Sequence, residues 1–174
     1  MSNDRVTVSR LSSVLLWLFV INLGIALGAG LYESRIVIHN WIDTSGDSPA
    51  WHPGAARDDD TGRRFWVAVT TIPLTLLTLA NLFAGWRTPP GLRRWWLGSA
   101  ATALVERALT LGYFVPTMIR LMQAENSQDA AAAAVLWSQL NNFRHLLVAA
   151  ALLAALKTFS LLYAQRRQSV STST

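Results

Sequence analysis

The sequence contains no cysteine. That excludes a disulfide, a thiolate metal site and a cysteine nucleophile. It also excludes a dithiol oxidoreductase working against a quinone, a familiar use of a membrane helix bundle. Charge is scarce too: Asp, Glu, Lys and Arg make up 14% of the 174 residues, against about 25% in a soluble domain. Several signatures are missing as well. There is no Glu-x-x-His or paired-histidine motif, and the Asp58-Asp59-Asp60 run lacks the spaced ligands of a calcium loop. No metal site is therefore expected, the acidic run reads as a solvated turn, and His39 and His52 read as exposed or interfacial. No repeat relates the first half of the chain to the second, which argues against a transporter.

What is present is hydrophobic, at 52% of residues. Four apolar stretches carry it, over residues 11–32, 65–86, 95–117 and 135–163. Each reaches the ~20 residues that cross a ~30 Å hydrocarbon core. The first exceeds the roughly 7–15 apolar residues of a signal peptide, so it reads as a span. The expected fold is all-α: an integral membrane four-helix bundle, one domain over residues 1–174, with residues 33–64 as an extracytoplasmic loop. The net charge of +5 would suggest nucleic acid in a soluble protein. Here it fits topology better, with no nucleic-acid partner. Arg5 and Arg10, then Arg87, Arg93 and Arg94, then Lys157, Arg166 and Arg167 mark one side. That bias puts both termini in the cytoplasm and the protein in a bacterial inner (plasma) membrane. Trp66, Trp86, Trp95 and Trp96 read as interfacial belts. Residues 36–42 are too apolar for a free loop and predict a short element lying over the bundle.

Polar groups recur inside these stretches at helical spacing. The last one opens with Trp137, Ser138, Asn141, Asn142, Arg144 and His145; of these, Ser138, Asn141, Asn142 and His145 share one helical face. Asn22, Ala26, Ala29 and Glu33 align on the first, beside a Gly24-xxx-Gly28 pair suited to close helix packing. Thr71, Thr75, Thr78 and Asn81 align on the second, where Pro73 predicts a kink. Ser99, Thr102, Glu106, Thr110 and Tyr113 align on the third. Glu106 lies 11 residues past Trp95, roughly 16 Å along the axis at ~1.5 Å per residue. Arg107 sits about 100° round the helix and needs a partner from another helix or a helix seam. Charges at that depth are costly unless paired or hydrated, and by default they mark function. A purely structural ion pair, Glu106 or Glu33 with Arg107 or Arg144, is the competing explanation.

The motifs Gly28-Ala29-Gly30-Leu31-Tyr32-Glu33, Phe114-Val115-Pro116-Thr117 and Trp137-x-x-Leu140-Asn141-x-x-Arg144 resemble those of the DUF1772, or anthrone oxygenase-like, family of membrane proteins. Members of that family often have Asn shortly after the Pro; Met118 and Ile119 stand there in this chain. The resemblance implies oxidation of an aromatic anthrone by molecular oxygen, with no cofactor, neither metal nor flavin.

Such a reaction needs a base for an acidic C–H, and donors for the enolate oxygen. His145 is the first candidate base, because its ordinary pKa lies nearest neutral; Glu106 is the second. Arg144, Asn141 and Arg107 are candidate donors to the oxygen. Trp137, Phe143, Tyr113 and Tyr32 offer flat walls, and Glu33 sits near the outer end. The site residues expected are thus His145, Glu106 and Arg144 for catalysis, with Asn141, Trp137, Tyr113, Glu33, Tyr32 and Arg107 for substrate. Expected partners are a small apolar or aromatic substrate, oxygen and membrane lipid, with homo-oligomer formation left open. Two other classes stay open: a non-catalytic binder of a small ligand or lipid, and a metal- or haem-dependent oxidoreductase built on His145 with Glu106, Glu33 or a loop histidine.

Overall fold

A computed structural model describes residues 8–171. The expected cytoplasmic Arg5 lies outside the described residues, as does the side chain of Arg166. The chain is helical apart from one two-residue hairpin. Helix α1 runs Arg10–Tyr32 and continues through a π-helical turn, Glu33–Val37, and a 3-10 turn, Ile38–Asn40. Ser9 caps its start by accepting from the Ser12 amide, satisfying one otherwise orphaned donor. Strands β1 (Ile42–Asp43) and β2 (Ala50–Trp51) pair antiparallel. A short helix α2, Pro53–Asp59, follows and ends at Asp60 in the left-handed conformation, φ 41°. A π-helical stretch, Gly62–Thr71, then leads into α3, Ile72–Trp86. After a tight turn come α4, Pro90–Leu109, a π-helical turn, Thr110–Phe114, and α5, Val115–Gln123. Helix α6 runs Gln128–Ser171.

Three helices are long and apolar enough to cross a membrane: Arg10–Asn40, Gly62–Trp86 and Gln128–Gln165. The rod from Pro90 to Gln123 is long enough, but Glu106 and Arg107 in its middle keep it out of that set. It nevertheless packs against α6 and α3, while α1 packs against α3 and α6. Pro73 falls in the first turn of α3, just after the π-to-α transition within one continuous helix; proline and π-bulges are both recognised sources of helix bending.

Two apolar cores form. One joins Leu16, Phe19 and Leu23 of α1 to Leu74, Trp96, Ala103, Ala151 and Phe159. Asn81 ties this end together: its amide donates to the Leu15 and Leu77 carbonyls and accepts from Trp96 Nε1 at 2.9 Å. Trp96 is thus a core residue rather than part of an interfacial belt, whereas Trp86 and Trp95 are exposed. Ser99 donates to the Ala151 carbonyl at 2.6 Å, holding α4 on α6.

The second core lies at the other end. Residues 36–42 do fold over the helix ends, as expected: Ile38, Trp41, Ile42, Trp51 and Ala56 pack on Phe114, Leu121, Ala134 and Trp137. Trp51 donates to the Leu121 carbonyl, Trp41 to Asp59, and Arg57 to the Met122 carbonyl. The acidic run is therefore partly built in, because Asp59 holds Trp41 and Asp60 pairs with Arg63. Gly24 and Gly28 meet nothing within 4 Å and face outward. The glycine that lets a neighbour approach is Gly30, where an added Cβ would stand 2.5 Å from His145 Nε2.

Candidate functional site

Between the two cores lies a layer of polar side chains. Helical periodicity turns them inward: Glu33 on α1's extension, Thr70 before α3, Glu106, Arg107 and Thr110 along α4, and Asn141 and His145 on α6 are all buried. Asn142, expected on the same face as Asn141, is exposed.

At the centre Glu106 and Arg107 form a bidentate pair. Arg107 Nε donates to Oε2 and Nη2 to Oε1, each at 2.6 Å. Adjacent helical side chains do not ordinarily face each other. Here the long arginine side chain folds back on its own neighbour, so the expected partner from another helix is not needed. Glu106 is 1% exposed and Arg107 4%, so this charge pair is sealed from solvent, where bidentate charge-assisted bonds are strong. Thr110 also donates to Glu106 Oε1, at 2.8 Å. Arg144 approaches from α6, with Nε 4.0 Å from Glu106 Oε1 and Nη1 3.5 Å from Thr110 Oγ1. Its Nε makes no hydrogen bond, nor does Arg107 Nη1. Two guanidiniums therefore share one carboxylate.

Both arginines line a cavity of about 400 Å³ that the second core roofs over. A volume in that range suits a small organic ligand. Its walls are largely apolar and aromatic, including Trp41, Trp66, Phe114, Met118, Met122 and Trp137. The Arg144 guanidinium sits over the Phe114 ring at 5.0 Å and near Trp66 at 5.7 Å, within cation–π range. Trp137 donates to the Phe114 carbonyl at 3.1 Å, which fixes its ring against the wall. Glu33 also lines the cavity. Its Oε1 accepts from Thr61 at 2.6 Å and Trp66 Nε1 at 2.7 Å, and its Oε2 makes no hydrogen bond among the described residues.

All three π-helical segments, Glu33–Val37, Gly62–Thr71 and Thr110–Phe114, contribute to this cavity's lining. Such turns make up well under 1% of residues in proteins at large and favour functional sites.

Of the residues expected at the site, Glu33, Arg107, Trp137 and Arg144 line the cavity, with Glu106 directly behind the arginines. His145 and Asn141 do not line it. His145 is buried with its ring against Gly30, and among the described residues neither ring nitrogen has a hydrogen-bond partner. Asn141 is fully buried, and neither of its amide atoms finds a partner among those residues. Tyr113 lies edge-on to Phe114 outside the lining, and Tyr32 points outward, 62% exposed. Phe143 is also exposed. His39 and His52 are exposed, and among the described residues no three His, Asp or Glu side chains gather. The sequence pattern missed Thr61, Trp66, Trp41 and Met122. Trp66 carried a signal, one indole near Glu33 across a loop, but its place at a span end made it look interfacial.

No family model, curated protein or solved structure matches the chain.

Proposed function

We propose that the cavity binds a flat apolar molecule bearing an enolisable or acidic oxygen and supports its base-assisted oxidation by molecular oxygen, in the manner of the anthrone oxygenase-like family that the motifs resemble. The observation that carries this is the pair of guanidiniums sharing one carboxylate at the wall of an aromatic chamber. An enolate oxygen formed beside Arg144 replaces the negative charge that Glu33 gives up on taking the proton, and donors already fixed in the site stabilise developing charge most effectively.

In such a reaction a base removes a proton from the carbon beside the carbonyl. Oxygen then attacks that carbon, one oxygen atom stays as a new carbonyl, and the other leaves as water with the two hydrogens lost. Glu33 is the best-sited base. It borders the chamber and has an uncommitted Oε2, whereas Glu106 stands behind Arg107 with both oxygens engaged. Arg144 holds the enolate oxygen, and Arg107 keeps Glu106 in place behind it. Thr61 and Trp66 orient Glu33.

The wider setting belongs to the same proposal. Four helices cross the bilayer, the charged Pro90–Gln123 rod included, as a bundle with both termini in the cytoplasm of a bacterial cell. A lone membrane-exposed Glu–Arg pair is costly, so a rod carrying one is tolerated where three apolar neighbours shield it.

Oxygen uptake by purified protein in nanodiscs on addition of anthrone tests the chemistry. Uptake that Glu33→Gln and Arg144→Ala both abolish supports it. A second reading, non-catalytic binding, is favoured by the position of His145 outside the chamber wall. Saturable anthrone binding without oxygen uptake would select it.

A further inference from the structure

The chamber is not walled equally on all sides. At its roof Trp41 and Ala56 cover part of it, Arg57 anchors α2 to the end of α5, and Thr61 and Trp66 close on Glu33, while Asp60 and the largely exposed Arg63 give that end a polar lining. Its sides differ. Helices α3 and α4 pack closely at the end that holds Asn81 and Trp96. Beyond that point the Gly62–Thr71 stretch packs chiefly on α1 and on its own continuation, while Thr110–Phe114 and α5 pack on α4, α2 and α6. The two rods therefore part where both turn π-helical.

Four residues border that parting. Val67 on one side, and Leu111, Val115 and Ile119 on the other, all line the chamber, and each is between 40% and 49% exposed. All four are aliphatic. The last three repeat every four residues, so they form one stripe down the rod. From Leu111 to Ile119 that stripe is roughly 12 Å long at ~1.5 Å per residue. The polar groups that would suit an aqueous mouth, Asp60 and Arg63, sit at the roof end; along this stripe the side chains suit hydrocarbon.

We infer that the chamber opens sideways into the bilayer between Val67 and the Leu111–Val115–Ile119 stripe, and that its ligand is a membrane-dissolved molecule which enters through this gap with its polar oxygen leading toward Arg144. The identity of the ligand rests on the function proposed above; the gap itself does not. The arrangement sets the substrate class: apolar enough to concentrate in lipid, flat enough to pass between two helices, and carrying one acidic oxygen at its leading end. A freely water-soluble acid would instead have to enter past the polar Asp60–Arg63 end.

The absence of cysteine allows a test that involves no substrate. Met118→Cys places a single thiol in the chamber wall, and Ser45→Cys places one in the exposed loop as a control. In nanodiscs, where both membrane faces meet water, each is treated with a lipid-soluble pyrene maleimide and a sulfonated, membrane-impermeant maleimide. Both reagents should label the loop thiol. The chamber thiol should react with the pyrene reagent and about a hundredfold more slowly with the sulfonate, reflecting one charge carried into hydrocarbon. Adding Leu111→Trp should then slow the pyrene reagent about tenfold or more by filling the gap. Comparable labelling of Cys by the sulfonate would mean an aqueous entrance and overturn the inference. So would failure of the pyrene reagent to label the chamber thiol, or indifference to Leu111→Trp. If Met118→Cys does not fold, Met122→Cys probes the same chamber. A lack of oxygen uptake with anthrone would leave all these outcomes unchanged.

Discussion

Replacing Glu106 with Gln should destabilise the protein more than any other single change in the polar layer. The substitution preserves shape and removes charge. Glu106 accepts three hydrogen bonds, two from Arg107 and one from Thr110, and it is the nearest counter-charge to Arg144. Glu106 and Arg107 are almost fully enclosed. Removing one partner of a buried ion pair costs about 3–5 kcal/mol, because the remaining charge has neither water nor counter-ion. Here two guanidiniums are left, so the upper half of that range applies. The companion variant, Glu106→Leu with Arg107→Met, removes the pair together. Replacing a buried pair with apolar groups is often neutral or better, so most of the loss should be recovered; the remainder reflects Arg144. Detergent-titrated unfolding, followed through the eight tryptophans, reads both. A Glu106→Gln protein within about 1 kcal/mol of the parent would refute a structural role for the pair. A double variant no more stable than the single one would refute the reason given for it.

Four further outcomes follow from named contacts. Arg144→Ala should abolish ligand binding, whereas Lys157→Ala, on an exposed stretch of α6, should leave it intact in the same fluorescence titration. Gly30→Ala should cost about 1–3 kcal/mol, the usual range for overpacking, since its Cβ would meet the His145 ring. Adding His145→Ala should recover much of that loss in thermal unfolding, and no recovery would count against the contact. Trp66→Phe removes the indole donor to Glu33 and should lower stability by about 1.5–3 kcal/mol, as for a hydrogen bond to a charged group. It should also reduce oxygen uptake more than ligand affinity.

Much of this was legible in the sequence because helical periodicity in an apolar chain is a strong signal. Of the stripes read from spacing alone, Asn22, Ala26, Glu33, Thr78, Asn81, Ser99, Glu106, Thr110, Asn141 and His145 are buried, whereas Ala29, Thr71, Thr75, Thr102, Tyr113 and Ser138 are only half-buried and Asn142 is exposed. What spacing does not encode is reach. Arg107 was assigned outside help because its Cα faces away from Glu106, yet its side chain is long enough to turn back. Periodicity also assumes 3.6 residues per turn, and the π-helical stretches break that rule where the chamber forms. Tyr113, expected in the wall, lies within such a turn and falls outside the lining, whereas Trp66 is hidden from the sequence by its place at a span end. Gly24 and Gly28 matched a packing pattern, but Gly30 makes the close approach. The need for it arises on another helix, at His145, which no local pattern on α1 reveals.

The most direct measurement is a structure of the protein with anthrone bound. The ligand should lie between Trp137 and Trp66, its oxygen within hydrogen-bond reach of the Arg144 guanidinium and its far edge toward Val67 and Leu111. A chamber filled by collapsed side chains, or anthrone bound elsewhere with Arg144 turned away, would contradict a binding role for the polar layer.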